Sequence, residues 1–171
     1  MAEAETWLAS YAQEDITPAL PCADIYLVGY DARPAEGIRD PLEVHALARE
    51  HHGVGVVLVA LDLLGVFHED AAAIGSRANA HLGDAAPAVI VCCSHTHAAP
   101  DLLGLWGPRP GVSGIHPSYR ERVVQAAARA AVAASRTAAS AVRVAKTAVE
   151  GVAEKIAGTL GVLGPLLMLP P

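Results

Sequence analysis

Two short apolar runs constrain this chain more than any other feature. Val54-Gly55-Val56-Val57-Leu58-Val59-Ala60-Leu61 and Ala88-Val89-Ile90-Val91-Cys92-Cys93 are continuous and rich in β-branched residues. That is the pattern of strands buried on both faces. Between them His68 to Leu82 has the Ala-rich character of a helix. Strand, helix, strand is a βαβ unit, and it predicts a parallel pair within an α/β sheet. Both strand ends then point the same way. Open α/β sheets place ligands in the crevice at the carboxyl ends of their strands. Here that crevice would hold Asp62 and the segment Ser94-His95-Thr96-His97.

The flanking sequence extends this frame. The first 50 residues read as turn-rich, with a strand at Ile25–Tyr30 and either a strand or a helical turn at Asp40–Leu47. His51 and His52 flank a turn before Gly53. Residues 98–115 form a Gly/Pro-rich loop, and a helix begins near 117, where Pro117 suits a first helical position and Ser118 with Glu121 has capping-box spacing. Val123, Val124, Ala127, Ala130, Ala131 and Ala134 give that helix an apolar face, and Arg122, Arg129, Arg136 and Arg143 recur on a solvated stripe. From 141 to 155 the pattern partly alternates, as an exposed strand would. The expected architecture is a mixed, partly parallel α/β sheet with covering helices. Residues 1–151 would form one α/β domain and 152–171 an apolar tail.

Charge and composition narrow the function. Residues 1–101 hold fifteen acids against four arginines, net −11, and residues 102–171 hold three acids against eight bases, net +5. The basic residues are thinly spaced along an Ala-rich segment without interleaved aromatics, so a helix face explains them better than nucleic-acid binding. The start is acidic and lacks a signal-peptide pattern, and the apolar run at 53–67 is too short to span a membrane and carries Asp62. Cys22, Cys92 and Cys93 are an odd number without CxxC spacing, so no disulfide framework is suggested. A cytoplasmic protein with no nucleic-acid partner and no transmembrane segment is expected.

His95-Thr96-His97 is the strongly chemical feature. Two histidines at i and i+2 after a strand can project from one side of an extended backbone, and imidazole nitrogen is a zinc ligand. A catalytic zinc normally takes three protein ligands, so the pair alone is not a site; the bland alternative is two loop histidines satisfied by hydrogen bonds. The HxHxDH pattern of metallo-β-lactamases fails, because Ala98, Ala99, Pro100 and Asp101 follow. Too much structure precedes the pair for an amidohydrolase barrel, and no GxSxG elbow supports a serine hydrolase. Asp62 has three open readings: metal ligand, partner that orients a histidine, or cap of the next helix. Cys92 and Cys93 read as small hydrophobes rather than nucleophiles. His45, His68, His81 and His116 read as surface, core-edge or capping residues.

The order Asp15-Ile16-Thr17-Pro18, Gly29-Tyr30 with Arg33, Gly37-Ile38-Arg39-Asp40-Pro41-Leu42, Val59-Ala60-Leu61-Asp62-Leu63 and Cys93-Ser94-His95-Thr96-His97-Ala98-Ala99-Pro100-Asp101 resembles the amino-terminal domain of the neutral/alkaline non-lysosomal ceramidase family. The last stretch is the most specific, as a close variant of the family's THTHSGP with Ala98 in place of its serine. The resemblance runs from about Asp15 to about Gly151. It implies a zinc-dependent hydrolase that cleaves the amide bond of ceramide-like N-acyl lipids or a related amide or ester. His95 would then be a zinc ligand, His97 an active-site residue that hydrogen-bonds the oxyanion or shuttles a proton, and Asp62 and Asp101 possible partners behind them. The family's other ligands, a histidine, a glutamate and a tyrosine, and its serine lie beyond this length. The chain is therefore expected to be an incomplete version of the family domain. The competing expectation is a catalytically incomplete fragment or a non-enzymatic binding or structural domain.

Overall fold

A computed structural model describes residues 7–19, 24–29 and 33–140. The readings made for 141–171, including Arg143, the exposed strand and the apolar tail, lie outside the described residues, as does Cys22.

The βαβ unit forms in the expected order, but its strands are not buried on both faces: Val54, Leu58 and Ile90 are exposed among the described residues, because both described helices pack on the other side. Strand β5 (Val54–Leu61), helix α1 (His68–Leu82) and strand β6 (Ala88–Cys93) follow in order, and β5 pairs with β6 in parallel from Val56↔Ala88 to Leu61↔Cys93. The ambiguous segment before them resolves as a strand, β4 (Glu43–His51), antiparallel to β5. A two-residue turn joins them, with φ of 51° at His52 and 78° at Gly53. Positive φ at both positions suits a primed hairpin turn, whose twist matches the flanking strands.

Strand β1 (Leu8–Asp15) was not legible in the sequence and pairs antiparallel with β4 from Leu8↔Glu50 to Asp15↔Glu43. Its residues are small or polar. Ser10 and Ala12 lie on the helix side, where the Ser10 hydroxyl donates to the carbonyl of Ala134 on the closing helix. Four-stranded order is thus β1-β4-β5-β6. The expected strand over 25–30 shrinks to β2 (Tyr26–Leu27), paired with β3 (Arg33–Pro34) in a separate ribbon.

Helices α1 and α2 (Pro117–Ser140) cover one face of the large sheet. Val44, Ala46 and Ala48 of β4 and Val57, Val59 and Leu61 of β5 are at most 3% exposed and meet Ile74, Ala78, Val123 and the alanines 126, 127, 130, 131 and 134. The alanines decide how close α2 lies, because a face of single methyl groups lets its backbone approach the sheet. Burying each Val or Leu side chain contributes about 1.5–3 kcal/mol. Among the described residues no helix is long and apolar enough to cross a membrane.

Two sequence expectations about helix ends change. Pro117 does occupy the first position of α2, but Ser118 and Glu121 form no capping box: the His116 carbonyl accepts from Arg120 N–H, and Glu121 turns outward to Arg77 of α1. Asp62 does not cap α1, whose N-cap is Phe67 without a side-chain hydrogen bond. The arginine stripe of α2 is a seam as well as a solvated face. Arg122 reaches Asp15 and Arg129 reaches Glu14 at the end of β1, and Arg136 donates to the carbonyl of His81 on α1.

An ion pair that sequence reading missed closes the helix layer. Arg120 Nε donates to Asp70 Oδ1 at 2.6 Å, with Asp70 only 3% exposed in the first turn of α1. A carboxylate there also meets the positive end of the helix dipole.

Candidate functional site

The motif segment is an arch held at both feet. Past the end of β6, Ser94 N–H donates to Leu61 O at 2.9 Å, which extends the parallel ladder by one rung. Past the histidines, Val28 N–H donates to Ala99 O, Asp101 N–H donates to Tyr26 O, and Leu27 bridges Pro100, so residues 99–101 are zipped to β2. Residues 95–98 cross between these anchors at the carboxyl ends of β5 and β6, the place the βαβ reading assigned to them.

Within the arch the backbone is not extended at His95, as the sequence reading assumed. His95 has φ of 61°, in the left-handed region that a non-glycine residue occupies at a cost of about 1–2 kcal/mol. The turn nevertheless brings the imidazoles together: the His95 and His97 rings lie 5.5 Å apart between centroids and edge-on at 89°. Both residues are exposed. His95 Nδ1 lies 3.0 Å from the carbonyl oxygen of Leu64. A carbonyl only accepts, so Nδ1 carries the hydrogen, and in the neutral ring the lone pair is on Nε2. That tautomer, fixed by a backbone carbonyl, is how metal-binding histidines are commonly oriented.

The two carboxylates serve other ends. Asp62 Oδ2 accepts from Glu43 N–H at 3.1 Å while Asp62 N–H donates to Glu43 O at 3.0 Å, so Asp62 ties the end of β5 to the start of β4. Asp101 is 1% exposed. Its Oδ1 accepts from Leu103 and Gly104 N–H, both at 2.9 Å, and its Oδ2 from Trp106 N–H at 3.0 Å. These bonds shape the start of the long loop; none of them goes to a histidine. The same loop folds so tightly that a Cβ on Gly114 would overlap the carbonyl of Trp106.

Opposite the imidazoles, Thr96 and Ala98 line a cavity of about 470 Å³ with Ser94, Asp62, Thr17 and Leu42. Neither histidine lines it. Thr17 and Pro18 of the Asp15-Ile16-Thr17-Pro18 stretch line it as well, and the stretch is held in place as Asp15 Oδ1 accepts from Thr17 N–H and Thr17 Oγ1 accepts from Leu42 N–H. The Ser94 hydroxyl oxygen is buried without a hydrogen-bond partner among the described residues.

Cys93 packs against the core side of β6, where burial pushes its thiol up to about 11, Cys92 adds to the shift and the Val66 backbone works against it. At neutral pH such a thiol is protonated and a poor nucleophile. Cys92 is likewise raised by burial.

A catalytic zinc needs a third protein ligand beside two imidazoles. Among the described residues no group of three or more His, Cys, Asp or Glu side chains is arranged to hold a metal ion. Two imidazoles without a third such group among the described residues do not make that site by themselves.

No family model and no curated protein sequence matches the chain. Solved structures do match in fold. A structure described as ceramidase complexed with C2 superposes with a TM-score of 0.62 at 18% identity, over 78% of this chain and 22% of that one. Neutral ceramidase from Pseudomonas aeruginosa superposes with a TM-score of 0.57 at 18% identity, over 81% of this chain and 22% of that one. The ceramidase-like α/β fold that the motifs implied is thus shown, and the chain spans about a fifth of the length of these structures.

Proposed function

We propose that this chain carries the amino-terminal part of a metal-dependent hydrolase site of the ceramidase type, acting on the amide bond of an N-acyl lipid or a related amide or ester. The observation that carries the reading is the His95 tautomer: Nδ1–H donates to Leu64 O and leaves Nε2 for a metal, zinc by resemblance. His97, with its ring 5.5 Å away, is the active-site polar group. In such a site zinc polarises the carbonyl and activates water. What the chain's own residues do is narrower. Leu64 fixes the His95 ring, the Ser94 and Ala99 anchors fix the arch, and His97 would hydrogen-bond a substrate oxygen. Further ligands have to come from outside the described residues.

Metal analysis tests this. In equilibrium dialysis purified protein is expected to retain zinc weakly, in keeping with an incomplete ligand set, and His95→Ala to retain less, with the far-UV circular dichroism unchanged. Zinc retained equally by wild type and His95→Ala, or by neither, overturns the ligand assignment. In the second case, absence of amidase activity toward N-acyl sphingosine favours a non-catalytic binding or structural domain.

A further inference from the structure

Both helices of the described residues lie on one side of the large sheet, and no described residue covers the apolar centre of the other side. The core takes alternate residues of every strand, so the register sends the remaining ones to the open face: apolar Leu47 on β4, Val56 and Leu58 on β5 and Ile90 on β6, with Tyr11 on β1, flanked by polar Gln13, Glu43, His45 and Arg49. Tyr11 is 41%, Leu58 36% and Ile90 50% exposed, with Val54 at 78% and Trp7 at 44% at the hairpin end. Trp7 is held there by His51, stacked at 4.1 Å, and by the Arg49 guanidinium 3.9 Å from its ring centroid. A parallel pair such as β5–β6 is ordinarily covered on both faces, and a contiguous apolar patch of this kind marks an interaction surface.

We propose that this face is the contact between two copies of the chain, packed sheet on sheet with their strands antiparallel across the interface. Charge argues for the second copy and for its direction. Along β4 the open face runs from Glu43, beside His45, through Leu47 to Arg49, so it is acidic at one end and basic at the other. A two-fold axis lying across the strands sets Glu43 of each copy at the Arg49 end of the other. An axis along the strands sets like ends together. Area argues that the contact is modest: four strands about 4.8 Å apart and eight residues long present about 500 Å² in projection. Two such faces reach the lower bound for a specific interface, about 1,000 Å² in total. An interface of that size belongs with the weak, transient contacts. It does not depend on His95 or on any metal.

Sedimentation equilibrium across a roughly hundredfold concentration range around micromolar values tests the proposal. Wild type is expected to rise from monomer to twice the monomer mass, with Leu58→Asp monomeric throughout. Glu43→Arg is expected to weaken the dimer about tenfold or more, and the double exchange Glu43→Arg with Arg49→Glu to restore it, which also guards against misfolding of a single variant. Wild type that stays monomeric at the highest concentration overturns the proposal, whether the face is then covered by another part of the chain or by a different protein. A dimer unaffected by Leu58→Asp overturns it too, and failure of the charge exchange to restore a dimer weakened by Glu43→Arg overturns the antiparallel arrangement.

Discussion

Asp101→Ala separates a carboxylate that builds a loop from one that tunes a metal ligand. The substitution removes acceptors for three backbone N–H groups at 2.9–3.0 Å. A hydrogen bond to a charged group is worth about 1.5–3 kcal/mol, and an amide left buried without an acceptor loses that stabilisation in full. Leu103, Gly104 and Trp106 are only half-buried, so their freed N–H groups regain some contact with water. About 1 kcal/mol for each gives an expected loss of about 3 kcal/mol. Asp101→Asn keeps one acceptor oxygen and turns an NH₂ group toward an N–H donor, for an expected loss of about 2 kcal/mol. Urea denaturation followed by circular dichroism reads both values. A wild-type-like midpoint for Asp101→Ala, coupled with loss of retained zinc, would refute the loop-building role and return Asp101 to a place behind the histidines.

Arg120→Met leaves Asp70 buried with no cation. Breaking a buried pair costs about 3–5 kcal/mol, and the arginine's partial exposure lowers the expectation to about 2–3 kcal/mol; a companion Asp70→Leu in the same background is expected to recover part of it in a double-mutant cycle, and strict additivity would show that the two side chains are not coupled. Gly114→Ala forces a Cβ into the Trp106 carbonyl, so a fall in stability of at least about 2 kcal/mol or a rearranged 104–114 loop is expected, and a neutral effect on the melting temperature counts against the close approach. Cys93 titrates near 11 when folded and near 9 when unfolded, so folding disfavours its thiolate: the stability it contributes is present below about pH 9 and declines as pH rises toward 11. Native protein is expected to resist iodoacetamide at pH 8 at Cys93, and rapid labelling there would contradict its burial.

How much of this was legible in the sequence varied with the range of the interaction that decides it. Strand β5, helix α1, strand β6 and the start of α2 were readable to the residue, because periodicity, β-branching and Pro117 are local signals. Strand β1 was not, because Ser10 and Ala12 are small enough to lie under α2 and carry no apolar pattern of their own. The capping box at Ser118 failed because Glu121 had a better partner in Arg77 of α1, a residue 44 positions away. The histidine pair was visible as a motif, but the left-handed turn at His95 and the Leu64 carbonyl were not.

The sequence by itself therefore determined the α/β class, the parallel pair and the position of the His95–His97 segment at the strand ends. Runs of Val, Ile and Leu favour strands that bury at least one face away from water. Only the tertiary structure decided what the polar atoms do, since each hydrogen bond depends on groups that chain distance does not reveal. It turned Asp62 and Asp101 from candidate partners of histidine into braces of backbone, fixed the His95 proton on Nδ1, and left one face of the sheet uncovered among the described residues.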